Sequence, residues 1–287
     1  MVASEQAQHT LPSSGVPYSR IPWEWTSRGL RLRRFGDLAE DLSVDFDSAS
    51  PPHLVTTILA TCTESVDGEP PSNDWFWDLT VGTRITALLT LATDGGTSDL
   101  GIALRCANAR CQGEMELFLS LDECIEEQER MSRIDHIEVD LVDARFTIRK
   151  PTGSDQLAWA SETFASEDAA LEAMLKTLIE PDEVPVIERS GQSPNTWIAL
   201  AGEALEEIDP LVSFTIITAC PDCGLEHECP IDLQDLALRT LRGIQERLII
   251  DIHQLATHYH WSEADILVLP AWRRSRYLSL LRDEVAR

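Results

Sequence analysis

The chain has 287 residues, of which 43% are hydrophobic and 25% charged, and its formal net charge is −26. A chain of this length and composition is expected to fold as one large or two modest globular domains. The strong negative charge disfavours binding to nucleic-acid phosphates, because such binding needs clustered positive charge. No apolar run reaches the roughly 18 residues of a membrane-spanning helix, so none is expected.

The first 50 residues are expected to form a flexible polar arm, because turn formers and charges alternate there with weak periodicity. The N-terminus lacks the basic start and apolar core of a secretory signal. We therefore expect a cytoplasmic protein, whose cysteines are usually reduced. Residues 51–287 are expected to form a single α+β domain, with C-terminal helices over about residues 230–287.

Two stretches have the period of two residues that is typical of half-buried strands. In residues 115–121, apolar side chains alternate with polar or outward-facing ones, directly after a turn that carries Cys106 and Cys111. Residues 137–141 alternate in the same way with acids. Each stretch predicts a β-hairpin, and the second hairpin is expected to close at the turn "KPTG", Lys150–Gly153.

The middle third and the C-terminus are expected to be helical. Ser166 is a candidate N-cap that precedes two acids, which suit the positive end of the helix dipole. The segment "SPNTWIALAGEALEEIDP" has one proline near its start and another at its end. From Asp232, apolar residues three or four apart predict one long amphipathic helix, and Pro270 begins the last helix.

Four of the seven cysteines form two pairs, Cys106 with Cys111 and Cys220 with Cys223. A β-branched run, "LVSFTIITA", leads into the second pair, so both pairs follow the pattern strand, cysteine pair, strand. Aligning the pairs gives a faint internal repeat, "QGEMELFLSLDE" against "GLEHECPIDLQD". Four thiolates favour zinc and complete its tetrahedron. The sequence therefore predicts a structural zinc ion that joins the two hairpins in a clasp resembling a zinc ribbon.

Two alternatives to this site stay open: a local metal site that uses His227 or Cys229, and no metal at all. In the internal repeat, His227 aligns with Met115 and Cys229 with Leu117, which are inward positions of the predicted strand. Because a free cysteine commonly packs as a small apolar side chain, we expect both residues to face a core.

Motifs of known enzyme classes are incomplete. "HIE" at residues 136–138 matches part of the zinc-deaminase pattern, but Ala219 precedes Cys220 where that pattern has proline. "HECPI" at residues 227–231 begins like a metalloprotease motif and ends in isoleucine instead of histidine. None of these partial motifs therefore supports enzymatic activity. A zinc hydrolase, which would need a ligand position open to water, is the least favoured function.

The C-terminal third carries a longer pattern in three parts. These are C-P-x-C-G at Cys220–Gly224, L-A-x-x-Y-x-W-x-E-x-x-I-L-x-L at Leu255–Leu269, and R-R-x-x-Y-L at Arg273–Leu278. Over about Leu79–Leu281 the chain resembles the T-even-phage-type baseplate protein family of phages and phage-tail-like contractile injection systems. The resemblance implies a non-enzymatic protein that is a structural or assembly component of a baseplate, with other baseplate or tail proteins as its partners.

The last 17 residues, Ala271–Arg287, hold five arginines against two acids. Arginine and aromatic residues are favoured as interface anchors. The predicted partner contacts are Trp261, Trp272, Arg273, Arg274, Arg276 and Tyr277. An alternative for this helix is that Trp272, Tyr277 and Leu281 pack inward. The alternative for the whole chain is a zinc-ribbon adaptor of another assembly, with or without nucleic-acid contacts.

Overall fold

The structure is a computed structural model that describes residues 18–19, 31–66, 69, 71–93, 99–131, 133–142, 144–189 and 193–285. Its strands are β1 (Tyr18–Ser19), β2 (Arg31–Arg33), β3 (Thr63–Ser65), β4 (Asp99–Arg105), β5 (Glu114–Ser120), β6 (His136–Asp140), β7 (Arg145–Arg149), β8 (Thr215–Ala219) and β9 (Glu226–Pro230). Its α-helices are α1 (Pro51–Cys62), α2 (Asn73–Trp77), α3 (Val81–Ala92), α4 (Leu121–Met131), α5 (Gly153–Ala160), α6 (Glu167–Thr177), α7 (Val184–Arg189), α8 (Pro194–Ile208), α9 (Leu233–Tyr259), α10 (Glu263–Leu267) and α11 (Ala271–Val285). A 3-10 helix spans Ala39–Ser43.

The strands form small antiparallel sheets. β1, β2 and β3 make one sheet in that order, and β4–β5, β6–β7 and β8–β9 each form a two-stranded hairpin. The predicted α+β class, with two cysteine-bearing hairpins and helical middle and C-terminal parts, is confirmed. The predicted helix starts at Ser166 and Asp232 are also confirmed, since each side chain caps its helix.

The turn of the β6–β7 hairpin is not the predicted one. The chain reverses between Leu141 and Ala144, where the backbone N–H of Leu141 donates to the carbonyl of Ala144 at 2.8 Å. The segment "KPTG" instead connects β7 to α5. Thr152 and Asp155 form a capping box there, which favours a helix start over a hairpin turn.

Helix α3 lies at the centre of the largest hydrophobic core. Eleven of its 12 residues are buried, and α1, α4 and α9 pack against it. Its two buried threonine hydroxyls are satisfied within the helix: Thr86 donates to the carbonyl of Gly82 at 2.9 Å, and Thr90 to that of Thr86 at 2.8 Å. The helix can therefore be enclosed on nearly all sides without leaving these hydroxyls unpaired.

The same helix carries a fully buried arginine, Arg84. Its guanidinium donates to the carbonyls of Phe76 at 2.6 Å and Pro52 at 2.9 Å, and to the hydroxyl of Thr56 at 3.0 Å. Because these acceptors are neutral, burial dominates and lowers the pKa of Arg84 to about 10. Arg84 thus ties α3 to α1 and α2 through hydrogen bonds.

Residues 31–50 belong to the core, so the predicted flexible arm over residues 1–50 is wrong from residue 31 onward. Leu32, Phe35 and Val44 are buried in the same core as α3. Few apolar residues occur here, and they are scattered among charges, so no period of 2 or 3.6 residues marks the segment. The rest of the predicted arm, apart from β1, lies outside the described residues.

A buried ion pair anchors this segment. Both Arg33 and Asp41 are buried, and the guanidinium donates to the two carboxylate oxygens at 2.6 and 2.9 Å. The carboxylate also accepts three backbone N–H groups, from residues 36 to 38. Gln245 of α9 donates to the carbonyls of Asp41 at 2.7 Å and Val44 at 2.9 Å. The segment is therefore bound to the long helix.

Two further cores of helices and strands lie apart from the cysteine group, which has a small apolar cluster of its own. One lies between the β6–β7 hairpin and α6 to α8, around Phe146 and Trp197. The other joins the end of α9 to α10 and α11. Asp209, after α8, is buried and accepts from the backbone N–H of Gly82 and the amide of Gln128, each at 3.2 Å. This carboxylate connects the end of α8 to the start of α3.

Replacing Asp41 with asparagine is expected to destabilise the protein by about 3–5 kcal/mol, because it leaves the buried charge of Arg33 without its partner. The measurement is the free energy of unfolding from urea titration. Asp47→Asn is the control, since Asp47 pairs with Arg242 at 2.8 Å on the surface and should contribute less than about 1 kcal/mol. Equal losses in the two variants would contradict the proposed anchor.

Candidate metal centre

The two cysteine pairs sit at the tips of two hairpins. β4 leads into Cys106, and β5 begins three residues after Cys111. β8 leads directly into Cys220, and β9 begins three residues after Cys223. Because antiparallel strands bring their ends together at the turn, each hairpin holds its own two thiols close to one another.

The four sulfur atoms form one compact group. All four Sγ atoms lie within 4.8 Å of one another, with Cys106 and Cys223 at 3.6 Å and Cys111 and Cys220 at 3.8 Å. A tetrahedral ion with metal–sulfur bonds of about 2.3 Å places its ligands roughly 3.8 Å apart. A disulfide would need about 2.05 Å, and all four cysteines are free. The spacing therefore fits the corners of a tetrahedron around a metal ion.

Backbone hydrogen bonds shape the first turn. The N–H of Cys106 donates to the carbonyl of Gly113 at 2.9 Å, and the N–H of Cys111 donates to the carbonyl of Asn108 at 2.9 Å. The N–H of Asn108 also points at the sulfur of Cys106, at 3.4 Å. Gln112 has a φ of 52°, which allows the chain to turn back into β5. The extra length of the C-x4-C spacing is thus absorbed in a compact turn.

The second turn is shorter and depends on a glycine. Gly224 has a φ of 70°, a conformation that side chains with a Cβ rarely adopt. Its N–H donates to the carbonyl of Cys220 at 2.8 Å, and the N–H of Cys220 donates to the carbonyl of Leu225 at 2.9 Å. The side-chain amide of Asn108 reaches across from the first turn to the sulfur of Cys223, at 3.8 Å.

The environment moves the pKa values of the thiols in opposite directions. A hydrogen bond from the backbone N–H of Leu225 is the main cause that lowers the pKa of Cys223 to about 7. For Cys106, the N–H of Asn108 lowers the pKa, but burial and the three neighbouring sulfurs raise it, to about 12 overall. Four adjacent thiols therefore do not ionise together unaided. A bound cation would stabilise all four thiolates, since coordinated thiols are deprotonated.

One side of the group is closed by apolar packing. Cys106 and Cys220 are buried and pack with Met115, whereas Cys111 is half-buried and Cys223 is exposed. Among the described residues, this is the one group of three or more histidines, cysteines or acids whose ligand atoms lie close enough to share an ion. The predicted ligand set, Cys106, Cys111, Cys220 and Cys223, is thus brought together.

His227 and Cys229 lie outside the group, on strand β9. Both are half-buried, and they pair in register with Thr218 and Ile216 of β8. The Nδ1 atom of His227 lies 3.4 Å from the carbonyl of Leu225. A local four-ligand site with His227 or Cys229 is therefore not the arrangement that the structure contains.

Comparisons with protein-family models, with curated proteins and with solved structures find no match.

The predicted partner residues occupy different environments. Trp272 is 72% exposed, and Arg273 and Arg276 are also exposed. Trp261 and Tyr277 are half-buried in an aromatic cluster: Trp261 stacks on Tyr259 with ring centroids 4.6 Å apart, and the rings of Trp261 and Tyr277 meet edge to face at 5.1 Å. The exposed position of Trp272 contradicts the alternative in which it packs inward.

Arg274 is buried, so its prediction as a partner contact is wrong. Its guanidinium donates to the carbonyl of Leu269 at 3.1 Å and to those of Leu267 and Gly36 at 3.4 Å. Arg274 follows Trp272 by two positions, and residues two apart in a helix point to different faces. Because Trp272 faces outward, the helical spacing places Arg274 on the side that faces the protein.

Within the described residues, no helix has both the length and the apolar content needed to cross a membrane. The long helix α9 reaches 27 residues, but arginines and acids recur along it.

Purified protein is expected to contain about one metal ion per chain, measured by elemental analysis. Cys106→Ser and Cys220→Ser should each lose the ion and lower the melting temperature, because metal binding adds to the free energy of folding. Cys229→Ala is the matched control and should keep the ion. If Cys106→Ser retained a full equivalent of metal, the four-sulfur site would be ruled out.

Proposed function

We propose that the four cysteines bind a structural zinc ion. Zinc accepts a tetrahedron of four thiolates, and such closed sites contribute folding energy directly. Iron can also occupy a site of four sulfurs, so the metal analysis should distinguish the two. A colourless protein with one zinc per chain is expected. A coloured protein that contains iron would contradict the zinc assignment while leaving the ligand set intact.

We propose further that the chain is a structural or assembly component of the baseplate of a phage-tail-like contractile injection system, expected in the cytoplasm and assembled into or onto the particle. The observation that most supports the baseplate proposal is that the last two parts of the sequence pattern, Leu255–Leu269 and Arg273–Leu278, pack together as one unit. Its apolar positions, including Leu255, Ile266 and Leu278, form one core. Tyr259, Trp261 and Tyr277 form its aromatic cluster. The second and third parts of the pattern that carries the family resemblance, Leu255–Leu269 and Arg273–Leu278, thus correspond to one packed module, whereas the first part, Cys220–Gly224, belongs to the cysteine group.

This module also presents a surface suited to protein contacts. We call the exposed residues Val268, Trp272, Arg273 and Arg276 the junction surface, because they lie where α10 meets α11. Val268 is 83% and Trp272 72% exposed. Large apolar side chains next to arginines are typical of the anchors of protein interfaces. The junction surface is therefore our candidate for the contact with other baseplate or tail proteins.

The proposed role is non-enzymatic. Four thiolates around zinc leave no position for a water molecule or a substrate, whereas catalytic zinc keeps one position open. On this proposal the zinc ion holds the scaffold together, and recognition belongs to the module formed by the end of α9 with α10 and α11.

The proposal is tested by purifying the affinity-tagged chain from cells that make it naturally and identifying the proteins that come with it. Neighbouring tail or baseplate proteins are expected. Trp272→Ser should reduce their recovery about tenfold or more, since a buried interface tryptophan commonly contributes 2 kcal/mol or more. Phe118→Ser is the control, because Phe118 is 69% exposed on β5 and lies outside the junction surface.

Two outcomes would overturn the baseplate assignment. Salt-sensitive DNA binding with no tail proteins recovered would favour the adaptor of another assembly. A solitary monomer with hydrolytic activity that depends on the metal would favour the zinc hydrolase.

A further inference from the structure

A groove of about 380 Å³ lies on the side of the molecule where residues 34–37 meet α9 and α11. Three segments that are distant in sequence form its walls, and all three are fixed. The N-terminal wall is held by the Arg33–Asp41 pair, and Arg274 of α11 bonds to the carbonyl of Gly36. The groove is therefore a preformed feature of the fold rather than a gap between loose elements.

The charged residues of the groove are mostly basic. Four arginines and two aspartates line it, which gives a net charge of +2 in a protein whose total is −26. These residues are Arg34, Arg247, Arg274, Arg282, Asp37 and Asp251. An acidic protein that concentrates positive charge in one concave site has a local potential opposite to that of its overall charge, and such a site attracts anions.

The arginines have different roles. Arg274 is buried and oriented by carbonyl oxygens, and it lies 3.9 Å from the carboxylate of Asp37. Arg247 and Arg282 are exposed at the edge, where Asp251 is the acid that faces them. One carboxylate, that of Asp251, therefore faces both exposed arginines. The two exposed arginines keep donor capacity for a ligand, because each guanidinium carries five N–H donors.

Apolar side chains form part of the floor of the groove. Phe35 and Leu248 are buried there, Ile244 is half-buried, and Ile250 remains 53% exposed. Burial raises the pKa of Asp37 and of Asp251 despite the nearby arginines. The floor is thus partly shielded from water, and charge interactions there are stronger than on an open surface.

We propose that this groove binds an extended, acidic segment of a partner protein, in which a carboxylate side chain stands next to an apolar one. The carboxylate would pair with Arg247 and Arg282, and the apolar side chain would cover Ile250. An apolar floor favours a peptide over a free phosphate or a nucleic acid, whose backbone offers only charge. This inference goes beyond the proposed function, because it holds for any partner with such a segment and does not require a baseplate.

The test uses the purified full-length chain and three fluorescein-labelled hexapeptides, measured by fluorescence anisotropy. In the first peptide leucine alternates with glutamate, in the second with glutamine and in the third with lysine. Saturable binding is expected for the glutamate peptide alone, and it should weaken as salt screens the ion pairs. Arg247→Glu and Arg282→Glu should each weaken this binding roughly tenfold or more, because each places a negative charge at the pairing position.

Arg239→Glu is the matched control, since it makes the same change of charge on α9 outside the groove, at a surface pair with Asp235. It should change the affinity less than about twofold, apart from the general effect of net charge. Ile250→Ser should weaken binding without abolishing the salt dependence. Equal binding of the glutamine peptide, no loss with Arg247→Glu, or tighter binding of a single-stranded oligonucleotide at this site would each overturn the proposal. The assay uses no tail protein, so its failure is distinct from a failure of the baseplate assignment.

Discussion

The enclosure of α3 is the constraint on which the surrounding structure depends. A helix that is buried on nearly every side needs neighbours on every side. Arg84 determines which neighbours these are. Its guanidinium requires oxygen acceptors, which Pro52 of α1 and Phe76 of α2 provide. A Cβ at Gly153, the first residue of α5, would collide with the same guanidinium. The positions of α1, α2 and α5 are therefore set by one buried charge, because leaving it unsatisfied would cost several kcal/mol.

The cysteine group lies at the tips of two hairpins, where a shared ion would cross-link distant parts of the chain. β4–β5 and β8–β9 are two-stranded hairpins, which are marginally stable by themselves. The sulfurs of Cys111 and Cys220 connect positions 109 residues apart, so a shared ion would close a long loop and restrict the unfolded chain. The packing of Met115 against Cys106 and Cys220 adds a small apolar layer below the sulfurs. The strands of the hairpins also contribute to the main core, where Leu100, Ile102 and Leu119 are buried, so a bound ion would add to this packing at the tips of the hairpins.

Regular patterns in the sequence predicted the elements that have one buried face. The alternation along β5, the apolar spacing along α9 and the pairing of the four ligand cysteines all correspond to the structure. The helix α1 was missed because Pro51 and Pro52 resemble a linker, although proline is favoured in the first turn of a helix.

The burial of residues 31–50 was missed for another reason. A buried pair such as Arg33 and Asp41 consists of residue types that are nearly always exposed, and only the fold reveals the pairing. The same holds for Arg274, whose partners are backbone carbonyls. Sequence patterns identified the four clustered cysteines but not Asn108, because its hydrogen bond to the sulfur of Cys223 leaves no periodic signal.

The contacts between residues 31–44 and the C-terminal helices affect how the protein can be made. Gln245 binds the carbonyls of Asp41 and Val44, and Arg274 binds that of Gly36, 238 positions earlier in the chain. During synthesis, the early segment emerges from the ribosome long before either partner exists. Contacts with β3 and α1 can form early, but the contacts with the C-terminal helices form only after almost the whole chain has been translated, and pairings of such sequence separation form slowly. The interval between those two events is when the nascent chain most needs protection from aggregation.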